Sequence, residues 1–293
     1  MNTKCLILAS LLAFLAVSNV QAADTVVLSK PNTPALPKAS ISPVISAPAF
    51  SWSGFYLGTQ IGNFSSKSDL NYAKDARTGK WDWVDRELSP KPSGFIAGLY
   101  AGSNIELGNS FIFGIDMDMA WSDKKDTKTG NEQKITEDLT SINVAFKEAG
   151  IPINRPGADD ETIPNYGDIV ISSVTLKEKW VGATRARIGF SCDRFMPYVS
   201  GGVAYTQVQY TMSLLSKSQE DPSFIFASGD VLDKTEKMVG YTLGGGVDIA
   251  ITDQVILRTE YRYSDFGKKE FAKDKLDIHY KTNDFRIGVG YKF

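Results

Sequence analysis

Histidine and cysteine are almost absent from this 293-residue chain, which holds one of the first and two of the second. His279 has no partner motif around it. Catalysis needs a base positioned beside a nucleophile or an activated water, so no enzyme is expected. Cys5 falls in a removable N-terminal segment, which leaves Cys192 without a second cysteine. That excludes an internal disulfide and a CxxC metal site, and Cys192 reads as a small packed residue. An excess of charge is missing too. Lys and Arg number 32 against 34 Asp and Glu, a net charge of −2, so no nucleic-acid partner is expected. Beyond the first residues, no apolar run approaches the roughly 20 residues that a membrane-spanning helix requires.

Those first residues read as an export signal over 1–22. Lys4 supplies the positive start, Cys5 to Val17 the apolar stretch, and Val20-Gln21-Ala22 the small-residue cleavage site. Residues 23–50 follow as a linker with Pro31, Pro34, Pro37, Pro43 and Pro48 set among Ala, Ser and Thr. Such a composition favours extended chain and buries no core. Residues 51–293 are expected to form one domain.

What that domain has in quantity is 25 Gly with 12 Tyr, 16 Phe and 5 Trp, arranged in short alternating runs. Eight segments show period-two alternation: 53–63, 94–105, 111–122, 178–190, 197–210, 237–251, 254–266 and 281–293. Each is long enough for a tilted strand to cross a bilayer, about ten residues. In the last, Phe285, Ile287, Val289, Tyr291 and Phe293 oppose Asp284, Arg286, Gly288, Gly290 and Lys292. In the third, Phe113, Ile115, Met117, Met119 and Trp121 oppose Gly114, Asp116 and Asp118. A soluble sandwich alternates as well, but it scatters charges on its wet face. Here both signs recur in mid-strand: Asp116, Asp118, Arg185, Arg187, Asp248, Arg258, Glu260, Arg262 and Arg286.

An apolar, aromatic-ended exterior in lipid with ion pairs inside fits a barrel. Open sheet edges are not tolerated in lipid, so the sheet must close. The connections alternate short and long, the expected asymmetry between periplasmic turns and external loops. The expected fold class is therefore all-β: an eight-stranded antiparallel transmembrane β-barrel of the OmpA/OmpX type, in the outer membrane, with both termini in the periplasm. Ile169 to Leu176 also alternates and reads as an extension of the fourth segment above the bilayer, with a ten-stranded wall as the alternative. Within the long segment after residue 122, the spacing of Ile135, Leu139, Ile142 and Phe146 predicts a helix over 132–149. Eight strands leave an interior just filled by side chains. The interior charges are expected to pair with one another, with a conducting pore as the alternative.

Several stretches resemble a known family. They are Trp52-Ser53-Gly54-Phe55-Tyr56, Thr184-Arg185-Ala186-Arg187-Ile188-Gly189, Pro197 to Tyr205, Arg258-Thr259-Glu260-Tyr261-Arg262-Tyr263 and the closing Tyr291-Lys292-Phe293. Together with the signal and Pro-rich spacer, they resemble the outer-membrane immunogenic and hemin-binding proteins of alphaproteobacteria, including hemin-binding surface proteins of Bartonella. The resemblance implies a surface antigen that binds hemin and host matrix proteins such as fibronectin. For hemin it directs attention to His279 and Tyr280, since imidazole and, less often, tyrosine serve as axial ligands. Lys268, Lys269, Lys273 and Lys275 precede them and could attract propionates. A solvated histidine in a charged hairpin is the other reading. Tyr291 and Phe293 resemble the C-terminal aromatic signal read by barrel-insertion machinery, with packing at the periplasmic girdle as the other, compatible reading. Trp81-Asp82-Trp83 reads as a loop anchor or a stacking surface, and Asp159-Asp160-Glu161 as a solvated acidic turn.

Overall fold

The computed structural model describes residues 50–75, 80–83, 88–136, 139–152, 164, 166–272 and 276–293. The export signal, nearly all of the linker and the acidic turn at 159–161 lie outside the described residues. The elements are β1 (Gly54–Asp75), β2 (Lys80–Trp83), β3 (Ser93–Glu106), β4 (Phe111–Thr129), β5 (Gln133–Lys134), α1 (Leu139–Glu148), β6 (Ile169–Phe190), β7 (Phe195–Lys217), β8 (Ile225–Ala250), β9 (Val255–Ala272) and β10 (Leu276–Lys292).

Every pairing is antiparallel, and β10 returns to β1 to close the sheet. The ring runs β1-β3-β4-β6-β7-β8-β9-β10 and has eight strands. The short β2 and β5 pair on its outside path, with β1 and β6. The wall is thus eight-stranded, not ten-stranded. Ile169 to Leu176 extends a strand already counted.

All eight expected segments fall on ring strands, but six of the strands are much longer than those segments, β7 with its end at Lys217 among them. β1 runs on to Asp75 and β4 to Thr129, β6 begins at Ile169, β8 at Ile225, and β9 reaches Ala272. Nearly half of what reads as long external loop is wall. The reason is solvent. Below, lipid demands an apolar outer face; above, the same ladder continues with Lys67, Thr127, Gln209 and Asp233 facing water, and the alternation that marks a membrane strand fades. The helix also starts later than the spacing predicts. Gln133 and Lys134 pair with Val170 and Ile169 instead, and α1 begins at Leu139. It ends where expected: Gly150, at φ +67°, lets the Ile151 amide reach back to the Phe146 carbonyl at 3.0 Å.

On the outer face an apolar belt circles the barrel. On β4 it runs from Phe111 to Trp121, every second residue exposed. That is about 33 Å of strand, or about 25 Å of height at the usual tilt, the thickness of a lipid-facing band. Aromatic pairs collar it. Below are Phe111 and Phe190, edge to face at 5.5 Å, and Tyr291 and Phe293 at 5.1 Å. Above are Trp121 and Trp180, directly paired in register, and Tyr241 near Tyr263.

Candidate functional site

The lumen is filled in three layers. The periplasmic floor is apolar: Trp52, Ile112, Met196, Tyr198, Ala250 and Ile256 are buried together, with Phe50 against them. Trp52 stands just before β1 and is wedged across the mouth. Its indole Nε1 donates to the Asp193 carbonyl at 2.9 Å, which fixes the ring in place.

The middle layer is ionic. Arg185, Arg187, Arg258, Arg262 and Arg286 point inward from β6, β9 and β10. They meet Asp116, Asp118, Asp248, Glu260 and Asp284, and every one of these ten side chains is buried. Asp118 lies 2.8 Å from both Arg262 and Arg286 and 3.6 Å from Arg185. Asp248 lies 2.6 Å from Arg187 and 2.9 Å from Arg258. Arg185 bridges Asp116 at 3.1 Å and Glu260 at 2.7 Å. Tyr198 donates its hydroxyl to Glu260 at 2.8 Å. Aromatic faces complete the shell, with Arg187 4.4 Å from the centre of the Tyr198 ring and Arg258 4.4 Å from that of Tyr100. Glycine makes the room. A Cβ at Gly58, Gly288 or Gly290 would stand within 2.8 Å of the Tyr100 side chain.

All nine charged residues picked out by the alternation sit in this layer. The alternation also puts Asp284 on the inward face, although the mid-strand charges singled out from the sequence do not include it; it balances the network at five charges of each sign. The signal was available, since Asp284 lies two residues before Arg286 on the same face, and their 2.6 Å pair follows from that spacing.

The upper layer is apolar again and lies above the belt. Phe64, Leu70, Leu176, Val208, Tyr210, Phe266, Leu276, Ile278 and Tyr280 belong to one buried cluster inside the projecting tube. Above it, Phe146 of α1 packs with Leu214 and Ala227 of the β7–β8 hairpin.

His279 and Tyr280 do not form one site. Neighbouring residues of a strand face opposite ways: Tyr280 is fully buried in the lumen, whereas His279 faces outward. The two residues named for hemin thus stand on opposite faces of β10. Tyr280 donates to Glu178 Oε2 at 2.9 Å, and His279 Nε2 lies 2.8 Å from Asp265 Oδ1. Asp265 also holds Lys281 at 3.2 Å. Tyr291 and Phe293 lie exposed at the periplasmic edge of the belt, and the Phe293 amide donates to Phe55 at 2.9 Å. Trp81 to Trp83 form β2, paired with β1.

Glu178 lies above the belt, between the outward-facing Lys177 and Lys179. Burial, then the nearby Asp284, pushes its carboxyl up from 4.5 to about 8, against the pull of Tyr280 and Arg286. A carboxyl raised on folding contributes stability that is complete below the unfolded value and is lost as pH rises through the folded one. Urea unfolding in detergent micelles should therefore show wild-type stability falling between pH 4.5 and about 8. Glu178→Gln should flatten that slope. An unchanged slope would assign the dependence to another group.

A belt of lipid-facing side chains around a sealed, ion-paired lumen defines an integral outer-membrane β-barrel. Residues 35–293 match the outer membrane protein beta-barrel domain family, and the chain belongs to it. Among its relatives is the 31 kDa outer-membrane immunogenic protein of Brucella melitensis, 29% identical over 99% of this chain and 100% of that one. The 25 kDa outer-membrane immunogenic protein of the same organism is 27% identical over 86% and 84% of the two chains. A 22 kDa outer membrane protein of Rhizobium leguminosarum is 25% identical over 84% and 80%. The chain is thus similar to two proteins named as outer-membrane immunogenic. Similar solved structures include OprG of Pseudomonas aeruginosa, with 11% identity, a TM-score of 0.41, and coverage of 82% of this chain and 96% of that one. Neisserial surface protein A shows 15% identity and a TM-score of 0.35, over 82% and 98%.

Proposed function

We propose that this protein is a non-enzymatic, non-conducting surface barrel that displays a rigid extracellular tube, and that it acts as a surface antigen and receptor rather than a channel. The observation that carries this reading is the filling of the lumen from floor to mouth. An ion crossing it would have to break buried charge pairs and pass two apolar layers, each step costing several kcal/mol. The immunogenic names of the relatives support the surface role. Planar-bilayer recordings of refolded protein are expected to show no long-lived conductance. A large, steady conductance would reject the reading in favour of a porin-like barrel.

The resemblance to hemin-binding proteins is carried further by one contact. Asp265 orients the outward-facing His279, as a carboxylate orients a metal-ligating imidazole. Under this reading hemin is held at the outer rim by His279 alone, and host matrix proteins such as fibronectin meet the tips of the tube. A hemin titration should give a Soret shift in the wild type that is lost in His279→Ala. No shift in the wild type removes hemin as a ligand, and a shift retained in the variant places the ligand elsewhere.

A further inference from the structure

Two features of the β4–β6 seam are unexplained by the fold, and they lie one above the other. The first is a pair of like charges. Lys125 and Lys177 are directly opposite in register, just above the paired Trp121 and Trp180. Both face outward. The next pairs up, Thr127 with Thr175 and Thr129 with Ser173, hydrogen-bond on the exposed surface, while the intervening Leu176 is buried in the lumen. Like charges directly opposite on one face destabilise a sheet. Asp123 holds Lys177 at 2.6 Å. Among the described residues no carboxylate is paired with Lys125. Lys124 and Lys179 add positive charge nearby, and Asp126 is drawn to the Lys91 amide and to Lys128.

The second feature is a groove of about 500 Å³ in the belt directly below, within the range of ligand clefts, about 300–1,000 Å³. Its floor is Gly182, whose register partners are Met119 on one side and Tyr205 on the other. Ala101 and Thr184 line it further down, and Trp180 stands at its upper end. The Trp180 indole donates to Gln207 at 2.7 Å, which keeps the ring aside.

We propose that this seam binds one outer-leaflet lipid carrying a phosphorylated headgroup. A phosphate bridging Lys125 and Lys177 turns the unfavourable pair into a clamp, and an acyl chain below it fills the groove. The groove lies in the lipid-facing belt and the lysines stand just above it, so a membrane lipid satisfies both at once. Lys67 and Lys281 on the β1–β10 seam are likewise directly opposite in register, with Asn63 against Phe285 and Ile61 against Ile287 beneath them. This pair provides an internal control.

The test is native mass spectrometry of delipidated, refolded protein titrated with lipid A, with dephosphorylated lipid A and with inorganic phosphate. Saturable retention of one lipid A is expected, with little retention of the dephosphorylated form. Lys125→Thr/Lys177→Thr should weaken it by about tenfold. Ala101→Leu, or Thr184→Leu should the first not refold by the heat-modifiable gel shift, should weaken it with both lysines in place. Lys67→Thr/Lys281→Thr should leave it unchanged. Equal losses in the control pair, insensitivity to the groove variants, equal binding of phosphate alone, or dimers in place of lipid adducts would each overturn the proposal.

Discussion

Replacing Asp118 by Ala is expected to cost about 3–5 kcal/mol of barrel stability, the range for removing one partner of a buried ion pair. Among the described residues Asp118 is the only carboxylate that bridges Arg262 and Arg286, at 2.8 Å from each, and it takes a further bond from Gln60. Without it the lumen holds five guanidinium groups and four carboxylates in a space closed to water by the layers above and below. The charge-balanced variant Asp118→Ala/Arg262→Met should recover more than half of the loss. Every remaining charge then keeps a partner: Arg286 with Asp284, Arg185 with Asp116 and Glu260, and Arg187 and Arg258 with Asp248. Urea titrations followed by the heat-modifiable gel shift measure both. A double variant as unstable as the single one would mean that cavity formation, not uncompensated charge, dominates this layer.

Trp52→Ala is the second large effect, about 3–5 kcal/mol, as for other buried aromatic truncations. The indole is wholly buried and packs on side chains from β4, β7, β8 and β9, so its loss opens a cavity bordered by four strands. Trp52→Phe should cost only about 1 kcal/mol, because the Asp193 turn is exposed and water can replace the lost donor. Far-UV circular dichroism during urea unfolding separates the two variants. Neither should conduct in a planar bilayer, since the ionic layer seals the lumen independently of its floor. A conducting Trp52→Ala barrel would show that the floor alone is the barrier.

Much of the wall was legible in the sequence because strand alternation is a local rule. Phe113, Ile115 and Met117 on one side and Asp116 and Asp118 on the other settle which face meets lipid without reference to any other strand. The same rule separates His279 from Tyr280, and it was overridden there by adjacency in the chain and by the resemblance. The late start of α1 was not legible. Ile135 has the helical spacing, but pairing of Gln133 and Lys134 with β6 satisfies the backbone first. Nor was the reach of the tube, since above the lipid the outer face turns polar and the strands lose their amphipathic mark.

By itself the sequence determined that a ring must form and that charge of both signs would be enclosed. A two-residue repeat and an apolar face are properties of short segments. Only the tertiary structure decided which arginine meets which carboxylate, because Asp118 and Arg262 are 144 residues apart and meet through the closure of β10 onto β1. Closure is a long-range condition, and the register it imposes on every strand is what seals the lumen and sets Lys125 against Lys177.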